Sequence, residues 1–209
     1  MKLYDCQPAP SPRRARMLIA EKGLDIEIVQ VDLANREQLE PWFREINPRC
    51  TAPVLELEDG TRFTENAGIA AYLEAACPEP PLLGVSSIER AMVAEWNARV
   101  EIEGLLAIRD AFRNTTPRMK GRAVTGPRNF DQIPALAEQG LQRAEDFLAM
   151  LDQRLRDSDF VAGDFFSMAD ITAVVAVDFA AWIKRPIPEN ARNLKRWHQE
   201  MQRRDSYRA

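Results

Sequence analysis

Thr51-Ala52-Pro53-Val54-Leu55-Glu56-Leu57-Glu58-Asp59-Gly60-Thr61-Arg62-Phe63 is the stretch that decides the fold. Val54–Leu57 reads as a strand, Asp59-Gly60 as a hairpin turn, and Thr61–Phe63 as the strand that pairs back. Upstream, Lys2–Tyr4 is a short first strand. A loop over Asp5–Pro10 leads to Ser11-Pro12, a hydroxyl N-cap with proline at the first helical position. Ala15, Leu18 and Ile19 give that helix an apolar face, and Gly23 ends it. Ile26, Ile28, Val29 and Val31 make a second strand, apolar enough to predict burial. A polar helical stretch over 36–46 is broken by Asn47-Pro48. Downstream, a helix over 66–76 carries Ile69, Tyr72 and Leu73 on one side. The order is strand, helix, strand, helix, strand, strand, helix. A right-handed crossover followed by a hairpin yields a small mixed sheet with helices packed on it.

That order is thioredoxin-like and covers residues 1–77. The Pro-rich run from Cys77 to Gly84 reads as a linker, placed at 78–86. Beyond it strand signals stop. Ile88, Met92 and Trp96 recur at helical spacing, as do Leu141, Ala144, Leu148, Leu151 and Leu155. Ile171–Val177 is apolar except for Thr172, which predicts a central buried helix. Residues 114–134 hold three prolines and two glycines and read as a loop between helices. The fold class is therefore α/β plus all-α, with a helical bundle over 87–209. Ser167-Met168-Ala169-Asp170 is a capping box, with Asp in the usual Glu position, that starts the buried helix.

Composition narrows the function. The chain has 209 residues, enough for one large domain or two small ones. Lys and Arg total 28 against 32 Asp and Glu, a net charge of −4, so nucleic acid is a poor partner. No apolar run is long enough to span a bilayer. The opening residues lack a signal-peptide pattern, and three cysteines without a CxxC fit a reducing cytoplasm. No residue spacing suits a metal, and His198 is the single histidine.

Three places can carry chemistry. Pro53 stands before a strand, as a cis-proline that turns backbone groups of Ala52 toward an extended peptide, or as an ordinary trans proline opening the strand. Glu65-Asn66 opens a helix, either as a simple cap or as an amino-acid head-group site, with Asn66 donating to a carboxylate and Glu65 accepting from an ammonium. Ser11 is either an N-cap or a donor aimed at an anion. Magnitudes bear on that choice. Lowering a thiol's pKa by about 2 units takes about 2.7 kcal/mol. A helix N-terminus supplies about 0.3–1 kcal/mol, at best about 2. A hydrogen bond to the charged form adds roughly 1.5–3 kcal/mol. Some donor besides the helix is needed.

Taken together these residues resemble a cytosolic glutathione transferase along essentially the whole chain. The resemblance rests on the MKLYDC strand, Arg14-Ala15-Arg16 with Glu21-Lys22-Gly23, Asn47-Pro48 before Thr51–Leu57, Asp59-Gly60-Thr61, Glu65-Asn66 with Ile69 and Tyr72-Leu73, and Phe160–Asp164 running into Ser167–Asp170. It implies a cytoplasmic homodimer without a metal or other cofactor. Its substrates would be glutathione and a small, hydrophobic electrophile, as in detoxification, with no nucleic-acid or membrane partner. It implies a cis Pro53, a glutathione cradle of Ala52, Pro53, Glu65 and Asn66, and Gln38 at the glycine carboxylate.

Two departures stand out. Many relatives carry Ser where Asn66 stands. The position of a thiolate-stabilising Tyr, Ser or Cys falls on Ala9 or Pro10, with Ser11 just beyond. The chain looks closest to an atypical fungal and bacterial group, in which a Ser and a His of the second domain hold a water near the sulfur. The matching positions are Arg109 and Arg113. These lie four apart on one helix face in a basic stretch over 109–128, and are read either as thiolate stabilisers that attract anionic co-substrates or as a solvated or dimer-facing stretch. The candidate catalytic residues are Ser11, Arg109 and Arg113. The competing functions are a thiol-disulfide reductase, which would want a cysteine near Ala9, and a glutathione-binding scaffold without turnover.

Overall fold

The computed structural model describes residues 1–209. β1 (Lys2–Asp5) leads through a loop to α1 (Pro10–Glu21), and β2 (Glu27–Gln30) follows. A single 3₁₀ turn (Glu37–Leu39), α2 (Pro41–Ile46), β3 (Val54–Glu56), β4 (Arg62–Phe63) and α3 (Asn66–Ala76) complete the first half. The sheet order is β2-β1-β3-β4. β1 and β2 are parallel with Leu3 opposite Ile28, whereas β3 is antiparallel to both β1 and β4. Tyr4 lies opposite Val54, and Leu55 opposite Phe63. The loop into α1, the chain leaving β2, the turn before β3 and the start of α3 therefore all gather at one end of the sheet.

Three expectations are corrected. β2 is not a buried strand. It is an edge, Ile28 is exposed, Val29 packs only half-buried against the Tyr4–Val54 side, and the fully buried apolar residues are the flanking Ile26 and Val31. The helix read over 36–46 is two pieces, because Arg36 takes φ 64° and Pro41 starts a fresh helix. Ser11 is not the N-cap of α1. Ala9 is, since Pro10 rather than Pro12 takes the first helical position. The hairpin at Asp59-Gly60 and the start of α3 stand as read, with the Thr61 N–H donating to Asp59 Oδ1 at 2.9 Å.

The second half is α4 (Ser87–Arg99), a wide π turn (Val100–Leu105), α5 (Leu106–Thr115), α6 (Pro134–Arg154), α7 (Met168–Trp182) and α8 (Arg192–Gln202), closed by a 3₁₀ turn (Asp205–Arg208). α4 starts on a second capping box, Ser86 with Glu89. α5 and α6 approach closely at Gly140, where a Cβ would meet Ala107 O at 2.6 Å. α7 is buried along nearly its whole length, as its composition predicts. Core residues of both halves, among them Leu3, Leu18, Leu73, Ile108, Leu151 and Trp197, form one continuous apolar cluster. The connecting segment is fastened from below. The fully buried Lys22 ammonium donates to Cys77 O at 2.7 Å and Pro80 O at 2.9 Å, and pairs with Glu74 at 2.7 Å.

The Ser167 box is complete. Ser167 Oγ accepts from the Ala169 N–H at 3.3 Å, and Asp170 accepts from the Ser167 N–H at 3.0 Å. Asp170 Oδ1 also accepts from the Val161 N–H at 2.8 Å and the Trp197 indole at 3.0 Å. Burial pushes the Asp170 carboxyl up to about 6 against these donors.

Candidate functional site

At the end of the sheet where these elements gather, polar groups are left without partners. Pro10 and Pro12 have no N–H, and the Arg13 N–H is bonded to Ala9 O at 3.3 Å. Of the first turn of α1, Ser11 alone keeps a free N–H, and its side chain is exposed. At α3, Ile69 N–H closes the first turn onto Glu65 O at 3.0 Å, which leaves the N–H groups of Asn66, Ala67 and Gly68 open. Glu65 is exposed and unpaired. The Ala52–Pro53 peptide is cis, as the resemblance implies. Ala52's own N–H and C=O take part in no backbone bond. Asn47 shapes this approach, donating to Thr51 O at 2.8 Å and accepting from the Arg49 N–H at 3.0 Å.

Three buried side-chain polar atoms in the whole chain lack a partner: Arg16 Nε, Gln38 Oε1 and Asn66 Oδ1. Two of the three belong to residues expected in the cradle. Natural interiors seldom leave a buried acceptor unsatisfied, so such atoms call for an explanation. Asn66 is 5% exposed and reaches across to α1. Its Nδ2 donates to Ser11 O at 3.1 Å and to Ser11 Oγ at 3.0 Å. The amide protons expected for a ligand carboxylate are thus already given to Ser11.

Arg109 and Arg113 sit on α5. Arg109 donates to its neighbour Asp110 at 2.8 Å. Arg113 turns to the following loop and donates to Ala123 O at 3.2 Å and Arg122 O at 2.5 Å. Burial, then Arg122 and Arg109, pull its pKa down to about 10. Arg113 therefore fastens the loop that ends at α6, a task the sequence reading did not anticipate. That loop comes up against the first half, where Gly126 faces Arg49 O. Phe112, Phe179 and Trp182 form an aromatic cluster beside it, with ring centroids 5.4–5.7 Å apart.

Sequence reasoning also missed the anchors of α1. Arg13 donates to Asp178 Oδ2 at 2.6 Å and to Tyr207 O at 3.1 Å, and His198 Nε2 lies 2.7 Å from Asp178 Oδ1. Burial pushes the Asp178 carboxyl up, but hydrogen bonds from His198 and Arg13 hold it below the ordinary range. Buried Arg14 donates to Glu101 at 2.5 Å and to Thr172 Oγ1 at 3.2 Å. A signal existed: Arg14 is flanked by apolar positions on a buried face, and a buried guanidinium needs partners. The partners themselves lie between 87 and 194 residues away and leave no local trace. Cys6 is buried, and burial raises its pKa, so it offers no ready nucleophile.

Family models assign the two halves. The model of the glutathione S-transferase N-terminal domain matches residues 9–76, and that of the C-terminal domain matches residues 96–205. The chain belongs to the glutathione S-transferase family. It is 35% identical to glutathione S-transferase 2 of Saccharomyces cerevisiae, over 99% of this chain and 87% of that one. The crystal structure of Gtt2 from the same yeast superposes with a TM-score of 0.91 at 33% identity, covering 99% of this chain and 98% of that one. A glutathione S-transferase domain-containing protein of Marinobacter aquaeolei gives 0.91 at 34% identity, covering 99% of this chain and all of the other. The reductase and scaffold readings are accordingly not favoured. The transferase carries the thioredoxin-like sheet half and the helical half that its sequence predicts, and its class joins the thiol of glutathione to an electrophile.

Proposed function

We propose that glutathione lies extended along the gathered end of the sheet, its backbone pairing with Ala52 beside Pro53. Its γ-glutamyl carboxylate takes the open N–H groups of Asn66, Ala67 and Gly68, and Glu65 accepts from its ammonium. Gln38 faces the glycine end. The sulfur sits at Ser11, where the free N–H and the hydroxyl converge. The observation that carries this reading is the concentration of open groups at that one end of the sheet: the free N–H groups of Ser11, Ala52, Asn66, Ala67 and Gly68 and the exposed Glu65.

The thiolate so formed attacks a small electrophile held against the helical half, near Phe112 and Trp182. Nucleophile and electrophile are brought to contact distance, while the protein supplies orientation and a lowered thiol pKa. Arg109 and Arg113 add positive potential from α5, and draw in electrophiles that carry negative charge. The domain division at 78–86, a homodimeric state, a cytoplasmic location and the absence of a metal or other cofactor belong to the same reading. Calorimetry with reduced glutathione, followed by turnover of a chloronitrobenzene, tests it. Uptake at micromolar to millimolar levels with conjugation is expected. Uptake without conjugation across a panel of electrophiles would return the scaffold reading.

A further inference from the structure

We infer that Asn66 is a positioning residue that acts on the glutathione sulfur through the Ser11 hydroxyl. The inference rests on the placement of the sulfur at Ser11 proposed above. Asn66 Nδ2 carries two protons, and Ser11 O and Oγ receive them at 3.1 and 3.0 Å. The bond to the Ser11 carbonyl fixes which end of the amide faces α1, because a carbonyl oxygen accepts and never donates. Ser11 Oγ is therefore an acceptor from Asn66. Its own proton must point elsewhere, and no protein group accepts it. The exposed side of Ser11 is the direction left open.

A hydroxyl with its lone pair occupied and its proton free favours an anion over a neutral thiol. The setting makes that donor matter. With prolines on either side, the first turn of α1 presents one free backbone N–H in place of the usual several. Most of what a helix end ordinarily gives an anion is missing, and the hydroxyl is the group that compensates. Asn66 is held for the task by burial in the first turn of α3. Its Oδ1 is buried and unpartnered.

The test is a double-mutant cycle on the pH at which bound glutathione ionises, followed by ultraviolet thiolate absorbance. Ser11→Ala should raise that pH by about one to two units. Asn66→Asp keeps the size but has acceptors only, so the Ser11 proton turns to it, and a rise of at least about one unit is expected. In the Ser11→Ala background, Asn66→Asp should add only the smaller shift due to its charge. Equal shifts from Asn66→Asp in both backgrounds overturn the inference. Should the Asp variant not fold, Asn66→Ala frees the Ser11 hydroxyl to rotate, and its smaller rise should vanish once Ser11 is Ala. A rise that persists overturns the inference equally. Absence of glutathione uptake by the unaltered protein overturns the underlying reading, whereas uptake with equal shifts overturns only the role of Asn66.

Discussion

Two helix starts in this molecule are built to opposite plans. At α7, Ser167 and Asp170 answer one another, and Asp170 also takes the Val161 N–H and the Trp197 indole. At α1 the N-cap is Ala9, which has no side-chain acceptor, and Ser11 keeps a free N–H. α3 repeats the second plan, with no side-chain cap. A helix start that satisfies itself is scaffold. One that leaves its groups open at a surface where other open groups converge is ready for a ligand.

The contrast can be broken most severely at the closed end. Asp170→Ala leaves the Val161 and Ser167 N–H groups and the Trp197 indole buried without an acceptor, and should lose about 3–5 kcal/mol of stability by thermal or denaturant unfolding. The same residue sets a pH dependence. Its folded pKa, about 6, lies above the ordinary carboxylate value, so its contribution is full below pH 4 and is lost as pH rises through 6. Asp170→Asn should flatten that part of the stability profile. At the open end the effect moves from stability to chemistry. Ser11→Ala takes one acceptor from the buried Asn66 amide and should lose about 1 kcal/mol of stability, while kcat/KM falls roughly 10- to 100-fold. The same stability loss with unchanged kcat/KM would confine Ser11 to its structural contact with Asn66. Gln38→Ala should raise KM for glutathione about two- to tenfold with little change in kcat. The smallest shift belongs to the arginines: Arg109→Ala and Arg113→Ala should each raise the ionisation pH of bound glutathione by about half a unit. A thiolate titration unmoved in both would confine Arg113 to its loop carbonyls.

Local chemistry was readable where it is self-contained. The Asp59-Gly60 turn, the start of α3 at Asn66 and the Ser167 box are each fixed by residues within four positions of one another. Ser11 was ambiguous because two prolines, Pro10 and Pro12, both satisfy the first helical position, and only the three-dimensional arrangement shows which one takes it. The Ser86 box was equally legible in its Ser-x-x-Glu spacing, though nothing functional drew attention to it. β2 misled because apolar content does not distinguish an edge from a centre when the flanking residues do the burying. The partners of Arg13 and Arg113 were beyond reach for different reasons. One lies across the molecule, and the other is a set of carbonyls that carry no sequence signature.

The fastening of the connecting segment by Lys22 roots that segment on α1 and α3. The Lys22 contacts stay within the first half and the residues just leaving it, so swinging one half away from the other would instead have to open the apolar cluster that both halves share. The hinge is in effect pinned shut. With the angle between the halves held constant, entry past the 117–130 loop depends on the bonds that fasten it, Arg113 to Ala123 O and Arg122 O and buried Arg122 to Gly126 O.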